Sequence, residues 1–232
     1  MERKELIYLE NIFSKFQKRG FTNFLDQAEN LLFCSYLRGK KISYSVYMAY
    51  PGAEKVIVYS EKLPKVCCLE IKSKNVLTHR SILGSLFHLQ IDSSLFGDII
   101  LWENHYYFFC LSEMLTYFLT SFRQVGKFQI QVVEQDLNLL ANYQRQYELK
   151  KIIVPSQRLD TVLAHLLNLS RGKIEELLKE KQVLLNYQVV LKGKELRESD
   201  IFSVRKYGKY RYLGIEKTTK NGKNILLIEK YL

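Results

Sequence analysis

At 232 residues, with 47% hydrophobic and 25% charged positions, the chain suits one large or two to three small folded domains. Three prolines and eleven glycines leave little material for long disordered linkers, and no apolar run approaches the roughly 18 residues of a membrane span. The net charge is +11, of which residues 155–232 carry +7 (16 Lys+Arg against 9 Asp+Glu), so the C-terminal third is the part suited to a polyanion. A basic surface kept for solubility is the plainer alternative.

Met1-Glu2-Arg3-Lys4-Glu5 is charged with no apolar segment behind it, so no secretory leader is expected. In residues 1–65, a mixed helical and strand region, Leu6, Leu9, Ile12, Phe13 and Phe16 recur at helical spacing over about 3–18. Lys18-Arg19-Gly20 is a stop. Thr22 is expected to cap a second helix with Phe24, Leu25, Ala28, Leu31 and Leu32 inward. Val56–Tyr59 reads as a strand.

Residues 66–134 have a clearer order. Val66–Lys72 reads as a strand, followed by a helix from a Thr78 cap to His88. Phe96–Trp102 and His105–Leu111 read as strands around a Glu103-Asn104 turn. A helix from Ser112 to Gly126 and a strand from Phe128 to Val133 complete the pattern β-α-β-β-α-β, that of ferredoxin-like and RRM folds. On the second of these strands, Tyr106 with Phe108 and Tyr107 with Phe109 take opposite faces. One pair is core. The other is either a base-stacking platform or a packing surface for the N-terminal helices, with packing preferred. Residues 135–154 are expected to be a helical connector.

In residues 155–232, Ser156 caps an apolar-periodic run through Leu159, Val162, Leu163, Leu166 and Leu167. Ser170 precedes a second run through Ile174, Leu177 and Leu178. Arg171 and Lys173 fall in the first turn of that helix, where cations oppose the helix dipole unless an anion binds there. Either a phosphate is held there, or the two pair with Glu175 and Glu176. Arg158, Lys179 and Lys181 belong to the same basic region. Arg205, Tyr207, Lys209 and Arg211 share parity, so an extended strand would place them in one cationic stripe, provided Gly208 does not bulge.

Arg158-Leu159-Asp160, Ser170-Arg171, Val183-x-x-Asn186 and Asp200-x-x-Ser203-Val204-Arg205 resemble an S4 (αL-type) RNA-binding domain. That family's pattern has glycines near the places held here by Lys181, Tyr187 and Ser199. Thr78–Leu86, with Ile91-Asp92 and Phe96-Gly97-Asp98-Ile99, resembles the YlmH family of bacterial S4 proteins. Tyr50-Pro51-x-Ala53-Glu54-Lys55 is similar to its N-terminal part. Gln90 and Ser93 stand where that family has glycine and arginine.

The resemblance covers nearly the whole chain. It implies an α+β, cytoplasmic bacterial protein with a ribosome-linked role, holding large-subunit rRNA and the adjacent tRNA, with a division-protein contact as a further partner. The expected RNA-binding residues are Arg158, Ser170, Arg171, Lys173, Lys179, Asn186, Arg205, Tyr207, Lys209 and Arg211.

Three functions compete. The first is a non-catalytic RNA-binding factor. The second is an S4-containing RNA-modifying enzyme, but only 72 residues follow Asp160 and no G-x-G-x-x-G loop is present, so no catalytic residue or cofactor is expected. The third is a division-protein interaction module. A catalytic His79 beside Asp98 or Glu103 is the weaker reading of those residues; capping and surface roles are the commoner ones. Cys34, Cys67, Cys68 and Cys110 form no Cys-x-x-Cys pair, so buried free thiols are expected and no metal site.

Overall fold

The computed structural model describes residues 3–232, with side chains from Leu6 onward; Met1 and Glu2, the start of the segment read for a leader, lie outside the described residues. Contacts divide the chain into two compact units, residues 3–144 and 145–232.

The first unit opens with helix α1 (Arg3–Arg19). Gly20 ends it at φ 77°, its amide closing on Phe16 O at 2.8 Å, as a left-handed C-terminal residue does. Helix α2 (Gln27–Gly39) begins later than expected. Its cap is Asp26 and not Thr22: Asp26 and Glu29 exchange hydrogen bonds at 2.8 and 2.9 Å in a capping box. Thr22 is instead buried and accepts the Val58 amide at 3.0 Å. The buried face of α2 is therefore Phe33, Cys34 and Leu37, while Leu31 and Leu32 are exposed. Strands β1 (Ser45–Tyr47) and β2 (Ile57–Tyr59) pair antiparallel, and Val58 joins the helices' core.

Next come β3 (Val66–Lys72), α3 (His79–His88), β4 (Phe96–Trp102), β5 (His105–Leu111) and α4 (Leu115–Ser121). A small hairpin of β6 (Gln124–Val125) and β7 (Phe128–Gln129) precedes β8 (Gln131–Gln135). The sheet order is β4-β5-β3-β8 with every pair antiparallel. The β3–α3–β4 crossover skips one strand position and β5 fills it, which is the split β-α-β arrangement. Thr78 and Ser81 form the capping box of α3. Glu103 and Asn104 both take positive φ (47° and 65°), the two-residue turn that matches strand twist. One expectation fails here: α4 stops at Ser121, not Gly126. Gly126 (φ 58°) instead turns the β6–β7 hairpin, delaying the last strand to Gln131.

The two faces of this sheet are both covered. Phe96, Phe108 and Ile82 pack with Phe118 and Phe122 on the helical side. Cys68, Ile100, Tyr107 and Phe109 pack with Phe24, Tyr50, Ile57, Leu140 and Tyr143 on the other. The expected boundary at 65/66 therefore lies inside one compact unit. All four cysteines are free and buried, and burial pushes the thiols of Cys67 and Cys68 up to about 11 and about 12.

The second unit contains β9 (Tyr147–Val154), α5 (Leu159–Leu166), α6 (Arg171–Lys179), β10 (Val183–Leu185) and β11 (Gln188–Val189). Strands β12 (Ile201–Val204), β13 (Gly208–Thr218) and β14 (Asn224–Tyr231) complete it. Its sheet runs β11-β10-β12-β13-β14-β9. Helices α5 and α6 cover one face through Leu159, Val162, Ile174 and Leu178, against Phe202, Tyr210, Tyr212 and Ile228.

The expected helical connector at 135–154 is corrected here. It holds one 3-10 turn, Leu137–Leu140, and then β9, which pairs with β14 along all eight residues. Leu149, Ile152 and Ile153 imitate helical spacing, but their exposure alternates as in a strand. Among the described residues no helix is long and apolar enough to cross a membrane.

Candidate nucleic-acid interface

The two helices of the second unit are positioned by their starts. Leu159 donates its amide to Lys194 O at 2.8 Å, and Arg158, not the expected Ser156, occupies the cap position of α5. The Arg158 guanidinium turns back onto Asp160, Nε to Oδ1 at 3.2 Å and a terminal nitrogen to Oδ2 at 2.9 Å. Burial works to raise the Asp160 carboxyl, but the Arg158 and Thr161 hydrogen bonds outweigh it and hold the group below its ordinary value. A Cβ on Gly193 would stand 2.2 Å from that carboxyl, so a glycine there lets the loop close over the pair. Arg158, expected on RNA, is thus engaged within the domain.

Ser170 caps α6 through the Lys173 amide at 3.3 Å. Lys173 Nζ donates to Glu176 at 2.8 Å. That bond, with smaller contributions from Glu180 and Tyr207, raises the ammonium's pKa. Of the two readings of this first turn, acidic pairing describes Lys173. Arg171 is exposed and has no ion-pair partner among the described residues, and Lys179 is the same at the other end of the helix.

The cationic stripe expected over 205–211 does not form as one strand. Residues 205–207 are the turn between β12 and β13, with Lys206 at φ 73° and Gly208 at φ 126°. Positive φ at 206 and 208 reverses the chain, so Arg205 and Tyr207 occupy the turn while Lys209 and Arg211 share one face of β13. The reversal creates an open groove of about 710 Å³. Lys181, Gln182, Ser203, Arg205, Lys206 and Lys209 contribute to its walls, and no carboxylate does. Lys206 was not read as part of the site from sequence, and Lys181 only as a member of the basic region around α6. The signal for Lys181 was its place beside the β10 start, and for Lys206 a turn that no Asn-Gly pair announced.

Asn186 is a structural clamp. Its amide donates to Asp200 at 2.8 Å and accepts the Ile201 amide at 2.9 Å, tying the β10–β11 turn to the start of β12. Three positions expected to be glycine keep the glycine conformation with other residues: Lys181 (φ 59°), Tyr187 (φ 65°) and Ser199 (φ 71°). Gln90 (φ 57°) does the same in the first unit. Each such residue costs about 1–2 kcal/mol relative to an unstrained backbone.

Beyond the groove, Lys209 Nζ lies 4.9 Å from the Tyr187 ring centre and 4.8 Å from that of Tyr231. Arg211 lies 4.9 Å from Tyr147 and is held by Glu229, Nε to Oε2 at 2.8 Å. The Tyr147 and Tyr231 rings meet edge to face at 5.1 Å.

The first unit's motif residues also serve structure. Asp98 accepts from Tyr50 Oη at 2.6 Å, Glu54 N at 2.7 Å and Lys55 N at 3.2 Å. Lys55 Nζ donates to Ser93 O at 2.6 Å and Phe96 O at 2.9 Å. Asp98, read as an acid for His79, is thus committed to the Tyr50–Lys55 loop. Tyr50 stacks on Phe109 at 5.2 Å. The Tyr107/Phe109 face, open between platform and packing surface, is therefore a packing surface, each residue being nearly inaccessible.

Comparison with known proteins agrees with both units. Residues 66–139 match a family described as "Putative RNA-binding domain in YlmH", and residues 157–202 match the S4 domain. The chain is 27% identical over 214 residues to the "Ribosome-associated protein quality control protein P2" of Bacillus subtilis (strain 168), covering 87% of this chain and 83% of that protein. The solved "Cell division protein ylmH from Streptococcus pneumoniae" is similar at a TM-score of 0.48 and 20% identity, over 60% of this chain and 93% of its own. The first unit thus contains the segment matched to the YlmH RNA-binding domain model, and the second the segment matched to the S4 model.

Proposed function

We propose that this protein is a non-catalytic RNA-binding factor acting in the cytoplasm on the ribosomal large subunit, in ribosome-associated quality control. The observation that carries the reading is the carboxylate-free groove at the β12–β13 turn, in the unit whose residues 157–202 match the S4 domain. Structured rRNA or tRNA enters with its phosphates toward Arg171, Arg205, Lys206 and Lys209. Ser170, Lys173, Lys179 and Tyr207 flank them, and Arg158 and Asn186 keep the surface in shape. The quality-control role named for the Bacillus subtilis relative supports this placement. Both matched domains are RNA-binding types, which favours a binder over a modifying enzyme.

Two substitutions test it. Arg171→Glu with Arg205→Glu reverses two exposed charges outside the core, so the fold is expected to survive. Co-sedimentation of the full chain with large subunits at low salt is expected to be lost. Unchanged co-sedimentation would overturn the reading and favour a protein-interaction module, including a division-protein contact. Incorporation of isotopic label into modified RNA would overturn the non-catalytic part.

A further inference from the structure

The S4 match ends at residue 202, yet the sheet of the second unit continues through β13 and β14 to β9. Helices α5 and α6 cover only one face of that sheet. On the other face Leu149 and Ile153 are each 53% exposed. The same face carries Tyr147 and Tyr231, paired across β9 and β14, with Lys209 and Arg211 beside them on β13.

We infer that this outer face is a stacking site for the bases of unpaired RNA, continuous with the groove. The inference rests on the RNA-binding reading above and extends it to a second class of RNA. Lys209 lines the groove and also lies against the rings of Tyr187 and Tyr231. Arg211 follows two residues later on the same face, about 7 Å further along the strand. A strand leaving the groove therefore meets cation and aromatic ring alternately. This combination grips single-stranded nucleic acid without reading sequence, because every base has a face to stack and every nucleotide a phosphate. Glu229 fixes the Arg211 guanidinium, so its plane is presented at low entropic cost. A paired helix is the wrong occupant, since its bases are already stacked.

The test uses the full chain and two labelled RNAs, a ten-nucleotide oligouridine and a stem-loop, followed by fluorescence anisotropy. An oligomer of equal length and charge without bases is the third probe. The wild-type protein is expected to bind oligouridine at least about fivefold more tightly than the base-free oligomer, the equivalent of one stacked base. Tyr147→Leu with Tyr231→Leu is expected to erase that difference, and Tyr147→Phe with Tyr231→Phe to keep it. Stem-loop binding is expected to stay within about twofold in both variants, since its contacts are phosphates at the groove.

Equal binding of oligouridine and the base-free oligomer by the wild-type protein would overturn the inference without any variant needing to fold. Oligouridine binding that survives the leucine changes would overturn it as well. Either result with stem-loop binding intact leaves the broader reading standing. Loss of stem-loop binding in the wild-type protein would sink both.

Discussion

Each unit builds an antiparallel sheet with helices on one face, and the two differ in what happens to the other face. In residues 3–144 that face is closed by the chain itself: Tyr50 stacks on Phe109, and Phe24, Leu140 and Tyr143 complete the seal. In residues 145–232 it stays open, with tyrosines and cations along it. Charge follows the same division. Residues 145–232 hold 19 Lys+Arg against 10 Asp+Glu, residues 1–144 hold 16 against 14. A sheet face with aromatic residues is thus not a binding site by composition; what lies over it decides. In the first unit the aromatic residues add stability, and in the second they are available to a ligand.

The largest expected effect tests the closed face. Phe109→Ala should destabilise the first unit by about 3–5 kcal/mol in denaturant unfolding. RNA affinity of the protein that remains folded should not change. A drop in affinity without loss of stability would break the comparison by making that face a platform. Asp98→Ala should cost about 2–3 kcal/mol, because Tyr50 Oη and two backbone amides lose a charged acceptor.

The open unit is sharpened by salt. Neutralising three to five phosphates gives a slope of log affinity on log salt of roughly −2 to −5. Arg171→Gln with Arg205→Gln should make it shallower by about two. Ser199→Gly should stabilise the second unit by up to about 1 kcal/mol, since it relieves a left-handed backbone and removes no side-chain bond seen in the structure. Smallest is the acid response of Asp160. A carboxyl held below its ordinary value adds stability that is complete above about pH 4 and is lost as pH falls through the folded-state value. Arg158→Gln should flatten that loss, seen as a smaller difference in unfolding midpoint between pH 3 and pH 6.

Legibility in the sequence followed the range of the interactions. Strands 96–102 and 105–111 and the turn between them were readable to the residue, since alternation and a turn pair are local signals. The Asp26-x-x-Glu29 box was equally local and still lost to Thr22, because Phe24 and Leu25 imitate a first helical turn before the helix begins. Strand β9 was misread because only its pairing with β14, some 70 residues later, distinguishes it from a helix. The 205–211 stripe failed for a different reason. Its parity argument was conditional on Gly208, and the reversal there combines positive φ at Gly208 with positive φ at Lys206, a residue with no intrinsic preference for it. The same reversal made the groove, so the most cationic part of the candidate site was the part least visible from residue types alone.

The seal over Phe109 also bears on how the protein can be divided. The segment matched as an RNA-binding domain starts at Val66, but the cover of its sheet comes largely from Phe24, Tyr50, Ala53 and Ile57. A fragment starting at Val66 would present Cys68, Ile100, Tyr107 and Phe109 to water as one apolar patch. Patches of that kind drive self-association. Such a fragment should precipitate or oligomerise when expressed alone, whereas one ending at Gln144 and retaining the N-terminal helices should remain monomeric.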